Sequence, residues 1–352
     1  MKVYDEAYCA ACYFRTKADF PNKKCLIQLT EKCNLRCEHC FVSAEHCGDE
    51  MEYAKFEKYI LPQLLENNIN KVTLTGGEPF VYRNLLEIVE LLCTNNIKVG
   101  ICTNATLVSE NFLNNVSKYS IHFNVSLDGF SSESHGKFRG FQNTEIYDRI
   151  IQNIKLIGKY NLLNGILVTP NNYASVEEYV ELCKFAKECG AKYVLMNPLS
   201  QFGRGEEALS LAFKEQEMEQ LRQATENFND DMEVVYIRFP NSKKKPLSEC
   251  VAGDIMYIFT NGDIAFCPYM VFAARDNCSM YKDQDFILGN IFKENFSWKE
   301  SMDKYHFPVG LERLCRECTV DECKKGCYAS KIACGNKLED VDELCPMIER
   351  KE

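Results

Sequence analysis

The chain has 352 residues, 46% of them hydrophobic, which is enough for one large core with a smaller satellite and is not the composition of a disordered chain. Its 41 basic and 51 acidic residues leave a formal charge of −10, which disfavours a nucleic-acid partner. The first residues lack a basic stretch followed by an apolar one, and no run approaches the ~20 apolar residues of a membrane span, so the expectation is a cytoplasmic protein without a membrane partner. Twenty cysteines are too many for ordinary core packing. A reducing compartment argues against a disulfide framework, which leaves metal or cluster ligation.

From Cys25 to about Pro198 short apolar runs alternate with longer helical patterns, the signature of repeated βα units built on a parallel sheet. In chain order the pattern predicts strands at Cys25–Thr30, Lys71–Thr75, Lys98–Thr103, Ile121–Leu127, Gly165–Thr169 and Lys192–Asn197. Between them, apolar residues at three- and four-residue spacing predict helices at Tyr53–Glu66, Leu85–Cys93, Glu145–Tyr160 and Ser175–Glu188. Six such units make an α/β fold of the partial (β/α)6 barrel kind. The chemically notable residues come just after strands: Cys33, Gly76-Gly77-Glu78, Asn104 and Asp128. In a βα barrel those loops share one face, where sites are built.

After Pro198 come a Gly203-Arg204-Gly205 loop, a predicted helix over Phe213–Asn227 and a polar stretch at Lys243–Pro246. The expected division is an N-terminal extension over 1–24, the barrel over 25–200, a connecting segment over 201–242 and a small cysteine-rich domain over 243–352. That last part has few periodic apolar runs and one hairpin signal at Asn261-Gly262. Such a segment buries little core and is expected to need metal to fold.

The segment CNLRCEHC spaces Cys33, Cys37 and Cys40 as C-x3-C-x2-C. Three thiolates leave one iron of a cubane without a protein ligand, and an open iron can bind and reduce a small molecule rather than only relay electrons. Zinc sites instead favour paired knuckles with a fourth ligand nearby. The triplet, in its place after the first strand, resembles the signature of the radical S-adenosylmethionine (SAM) superfamily, and the resemblance covers most of the chain. It implies a 4Fe–4S cluster on Cys33, Cys37 and Cys40 that chelates SAM through its open iron and cleaves it to a 5′-deoxyadenosyl radical. His39 stands where an aromatic residue is common. Gly76, Gly77 and Glu78 resemble the family's GGE motif for the SAM ammonium; by the same resemblance Ser126 and Arg139 contact the SAM ribose or carboxylate, and Asn104 lines the pocket. Without the family, Asp128 reads as a turn residue and Arg139 as a solvated charge.

Downstream, Cys315, Cys318, Cys323 and Cys327 form a compact ligand set, preceded by Cys250 and Cys267 around the hairpin and followed by Cys345. These seven resemble the SPASM domain, the extension with two auxiliary 4Fe–4S clusters found in anaerobic sulfatase-maturating enzymes and peptide maturases; the middle spacing is x4 where x5 is usual. The resemblance implies an outer cluster on Cys315, Cys318, Cys323 and Cys345 and an inner one on Cys250, Cys267 and Cys327. The motifs supply ten cysteines, where three cubanes with one open iron would take one more. Either Cys278 fills the place or the inner cluster keeps an exchangeable site. Cys9-x2-Cys12 has no assigned role.

The resemblance further implies an oxidoreductase that abstracts hydrogen from a peptide or protein substrate, as an oxidative modification in ribosomal peptide maturation, with a flavodoxin- or ferredoxin-type reductant. Only 32 residues precede Cys33, short of an about 80-residue leader-binding module, so capture is expected to use a separate leader-peptide-binding protein or direct docking. Pro268 after Cys267, where sulfatase maturation places an aspartate, weakens that variant. The alternative is a dehydrogenase or decarboxylase acting on a tetrapyrrole side chain or a sugar-derived metabolite. Tyr269, Arg204 and Cys278 are candidate catalytic residues by location only.

Overall fold

The computed structural model describes residues 23–348, apart from 231, 243, 249, 251, 253–254, 305–314, 316–317, 319, 321–322 and 324–325. Cys9 and Cys12 lie outside the described residues.

Seven parallel strands follow one another across the sheet: β1 (Lys23–Thr30), β2 (Ile69–Gly76), β3 (Lys98–Thr103), β4 (Ile121–Ser126), β5 (Leu163–Val168), β6 (Tyr193–Met196) and β7 (Glu233–Tyr236). The first six coincide with the expected strands to within about two residues at each end, the usual uncertainty of element boundaries. The seventh, four residues long, falls in the stretch expected as a connecting segment and pairs with β6. Helices cross between strands: α1 (residues 53–66), α2 (Leu85–Thr94), α3 (Glu110–Val116), α4 (Ser132–Arg139), α5 (Thr144–Lys159), α6 (Val176–Glu188) and α7 (Glu215–Thr225). Ser109, Ser131, Asn143 and Ser175 cap α3 to α6, each side-chain oxygen accepting from an amide of the first turn.

The expected hairpin is present as β8 (Ile255–Ile258) and β9 (Asp263–Ala265), continued by β10 (Ile287–Asn290). It extends the main sheet, because β8 pairs in parallel with β1, Leu26 opposite Tyr257. Among the described residues the order is β10-β9-β8-β1-β2-β3-β4-β5-β6-β7, ten strands in one sheet. Among the described residues the C-terminal part also carries three short helices: α8 (Pro268–Ala274), α9 (Trp298–Lys304) and α10 (Tyr328–Ala333).

Period-two alternation divides the core. Cys25, Ile27 and Leu29 of β1 join the main core with Phe56, Ile60 and Ile88 of the crossing helices. Leu26 points to the other face, where it packs with Tyr257, Tyr269 and Ile332 of the C-terminal part. Each fully buried aromatic such as Phe123 stabilises the core by about 1.5–3 kcal/mol relative to exposure. No helix among the described residues is long and apolar enough to cross a membrane.

Candidate functional site

The loop after β1 carries Cys33, Cys37 and Cys40, and neighbouring loops fix it through its backbone. The amide of Cys33 donates to the Glu45 carbonyl at 2.7 Å, that of Glu38 to the Phe138 carbonyl at 3.0 Å, and that of Arg204 to the Cys40 carbonyl at 3.1 Å. The Gly76-Gly77 turn passes so close that a Cβ on Gly76 would lie 2.4 Å from the Thr30 carbonyl oxygen and one on Gly77 2.2 Å from that of Lys32. Small residues here are a packing requirement. The amides of Gly77 and Glu78 then donate to Thr30 and Lys32 at 2.8 and 2.9 Å, tying the second strand's exit to the first's.

Each of the three sulfurs has an N–H group directed at it. Leu35 N lies 3.4 Å from Cys33 Sγ, Ala44 N 3.4 Å from Cys40 Sγ, and Arg139 Nη1 3.7 Å from Cys37 Sγ. Asn104 Nδ2 stands 4.0 Å from Cys33 Sγ. Burial pushes the thiols of Cys33 and Cys37 up to about 11 and about 12, and Cys40 raises both; Arg139 opposes the rise at both. A metal that deprotonates the thiols would meet sulfur already surrounded by N–H dipoles and one guanidinium, so the donor set fits a thiolate-ligated iron cluster.

Arg139 is not a solvated charge. Ser131 starts α4 and Gly140, in left-handed conformation at φ 79°, ends it, leaving Arg139 on the last turn, where its Nε donates to Asp128 Oδ2 at 2.5 Å. Asp128 is 1% exposed. Burial would raise its carboxyl, but Arg139, His39, His135 and the Thr169 amide hold it below the usual carboxylate range. His39, within the loop, stacks on Phe138 with ring centroids 4.1 Å apart and holds its Nε2 3.7 Å from Asp128 Oδ2.

Glu78 is buried, and its carboxylate accepts from Thr103 Oγ1 and Asn104 N at 2.7 Å and from Phe80 N at 3.0 Å. Burial raises its pKa and these three donors offset the rise. The side chain thus holds the exit of β3 in place. Asn104 donates to Asn34 Oδ1 at 3.0 Å and accepts from the Thr106 hydroxyl at 2.6 Å, while Asn34 Nδ2 donates to that hydroxyl at 2.7 Å. Ser126 ends β4, half-buried. Sequence reasoning missed Asn34 and Thr106; their adjacency to Cys33 and Asn104 was the only signal.

The C-terminal cysteines fall into two groups. Burial pushes Cys250 up to about 12, with Cys327 next in effect; Cys267 is raised by burial, then by Cys250 and Cys327. Cys345 is raised by burial, then by Cys323, Cys315 and Cys318. The amides of Ala252 and Tyr328 point at Cys250, and those of Tyr269 and Met270 at Cys267, so these thiols also meet the donor requirement of a cluster. Asp342, which no sequence signal marks, accepts from Cys327 N at 2.9 Å and takes both guanidinium nitrogens of Arg238 at 3.0 Å.

The three candidate catalytic residues separate. Arg204 donates from Nε to the Cys37 carbonyl at 2.8 Å and from Nη1 to Glu45 at 3.2 Å, so it braces the loop. Tyr269 is buried on α8 against Phe41, 5.0 Å between centroids, and Phe202. Cys278 is exposed in the turn after α8, its amide bonded to Asp276.

Residues 27–183 match the family model described as the Radical SAM superfamily. The chain is 25% identical over 340 residues, 90% of its length and 72% of the relative's, to the antilisterial bacteriocin subtilosin biosynthesis protein AlbA of Bacillus subtilis. It is also 25% identical over 335 residues, 90% of its length and 81% of the relative's, to the mycofactocin maturase MftC of Mycobacterium tuberculosis. Its fold is similar to that of SuiB of Streptococcus suis, solved with the precursor peptide SuiA, at a TM-score of 0.69 and 19% identity over 92% of this chain and 76% of that one.

Proposed function

The chain belongs to the radical SAM superfamily, in its SPASM-type branch, and from that premise we propose that it is an enzyme that abstracts hydrogen from a ribosomally made peptide, as an oxidative modification during the peptide's maturation. The observation that carries the reading is the loop after β1, where Cys33, Cys37 and Cys40 each have an N–H donor on sulfur and Arg139 beside them. When bound there, a 4Fe–4S cluster would supply the electron that splits SAM into methionine and a hydrogen-abstracting 5′-deoxyadenosyl radical.

The chain's own residues prepare that chemistry. Arg139, held by Asp128, offsets thiolate charge at Cys37, and it and Ser126 at the end of β4 are assigned to the cosubstrate's carboxylate or ribose. The main chain of Gly76 and Gly77 lies against the cluster loop and is assigned the ammonium end, while Glu78 keeps Asn104 fixed beside Cys33. Cys250, Cys267 and Cys327 are assigned to an inner auxiliary cluster, and Cys315, Cys318, Cys323 and Cys345 to an outer one. Auxiliary clusters would take an electron from the substrate radical, which makes the outcome an oxidation. The peptide class is supported by two relatives whose names are those of a bacteriocin biosynthesis protein and a maturase, each matched over 90% of this chain.

The test is anaerobic reconstitution with iron and sulfide, then dithionite and SAM. Production of 5′-deoxyadenosine, with a perturbed spectrum of the N-terminal cluster when SAM is added, is expected; its absence removes the proposal. Co-expression with the neighbouring small open reading frame should give a peptide lighter by two hydrogens. An unaltered peptide would turn the reading to the small-molecule alternative.

A further inference from the structure

A cleft of about 380 Å³ opens between residues 42–47 of the cluster loop and the C-terminal part, with Gln28, Glu31, Phe259, Asp263 and Phe272 among its lining residues. Gln28 sits on the face of β1 that meets the C-terminal core, two residues from Leu26. It is 4% exposed, yet its Oε1 has no hydrogen-bond donor. A buried carbonyl oxygen without a donor is rare in folded proteins and calls for a partner from outside the fold.

The charges around it are mostly negative. Four carboxylates line the cleft, those of Glu31, Glu45, Asp263 and Asp283, against a single guanidinium, Arg275. Arg275 is committed to Asp283 at 3.2 Å, and Glu45 is met from behind by Arg204 at 3.2 Å and by Arg36 at 3.4 Å. Glu31 accepts from Thr260 Oγ1 and the Asp49 amide, and Asp263 from Asn261 and Asn290, all neutral donors. Among the described residues neither forms an ion pair, and no lysine lines the cleft. Two uncompensated carboxylates and an unmet carbonyl suit a cation that also donates hydrogen bonds. Phe259 and Phe272 form the apolar part of the lining, with the Arg275 guanidinium over them at 6.0 and 5.5 Å from the ring centroids, so an alkyl stem of the kind that lysine and arginine bury would pack beside that arginine.

We propose that this cleft is a recognition subsite for a lysine or arginine side chain of the peptide substrate, held by Glu31, Asp263 and the Gln28 carbonyl. The proposal rests on the peptide reading and adds to it a charge preference. One wall of the cleft is Ala44, whose amide touches Cys40 Sγ, so a side chain seated there anchors the peptide next to the cluster loop.

The iron-loaded protein is titrated anaerobically, by calorimetry, with three acetylated and amidated pentapeptides of sequence Gly-X-Gly-X-Gly, X being lysine, glutamate or norleucine. Only the lysine peptide is expected to bind, with affinity falling as salt rises. Gln28→Leu removes the carbonyl, and Cys47→Lys places a tethered ammonium at the exposed rim of the cleft; each should weaken that binding by about tenfold or more. Failure of the lysine peptide to bind, equal binding of the norleucine peptide, or unchanged affinity in both variants overturns the subsite. Conversion of SAM to 5′-deoxyadenosine by the unsubstituted protein is measured in parallel. If that persists while lysine binding is absent, the subsite alone falls; if it is absent, the proposed function falls whatever the peptides do.

Discussion

Two buried aspartate–arginine pairs stand beneath the two cysteine-rich regions, and they are built differently. Asp128 and Arg139 lie 11 positions apart, on the exit of β4 and the last turn of α4, and the arginine reaches on to the sulfur of Cys37. Asp342 and Arg238 lie 104 positions apart; there the aspartate holds the backbone amide of Cys327, and the arginine comes from the segment after β7. The first pair trims a site whose frame is already set by strand ends and the main core. The second joins segments whose described elements are short, strands of three and four residues and helices of six and seven. That region has an apolar core of its own, with every residue of α8 buried, and auxiliary clusters bound there would add their binding free energy to its folding.

The largest expected effect sharpens this contrast at the chemistry. Cys37→Ala should lower 5′-deoxyadenosine formation by at least about a thousandfold, with the circular dichroism and melting temperature of the main sheet unchanged. Loss of the sheet together with activity would mean that the N-terminal site also depends on its cluster for folding. Next come the two pairs themselves. Asp128→Asn leaves Arg139 buried and uncompensated and should cost about 3–5 kcal/mol in the main unfolding transition. Asp342→Asn should spare that transition and appear as faster protease cleavage after residue 240 and earlier loss of auxiliary iron; equal effects of the two on the main transition would erase the distinction.

Smaller is the effect of Glu78→Gln. An amide nitrogen would face one of the three donors that now point at the carboxylate, for a loss of about 1–3 kcal/mol and a displaced Asn104, read as altered cluster spectra on SAM addition. The gentlest test is pH. Burial, with Lys24 and Arg139 respectively adding to it, pulls His122 down to about 4 and His135 to about 3, whereas in the unfolded chain histidines titrate near 6.5. The folded chain binds fewer protons, so the stability these groups lend is complete above about pH 6.5 and drains away as pH falls toward 4. Thermal scans should show the main transition dropping across that window; a flat profile would indicate that the two imidazoles are not desolvated.

Most of the architecture was readable before any coordinates. Six strands and the main crossing helices repeat a period set by local geometry, and Asn261-Gly262 announces its hairpin through turn chemistry. The short β7 was missed because four residues without a following crossover carry too little pattern. Arg139 was read on its own as a solvated charge because nothing nearby in the chain shows that Asp128 is buried opposite it.

The order of elements and the cysteine spacings are properties of neighbours along the chain, and from them alone the fold class and the superfamily resemblance could be stated. How the polar groups are spent is not such a property. That Glu78 secures the exit of β3 depends on a residue 25 positions away and that β8 lies against β1 on residues 231 positions away, and that Gln28 keeps a carbonyl without a donor is decided only by its packed surroundings. Only the packed chain brings those residues together, because the free energy of a buried hydrogen bond or ion pair is decided by what surrounds it in space.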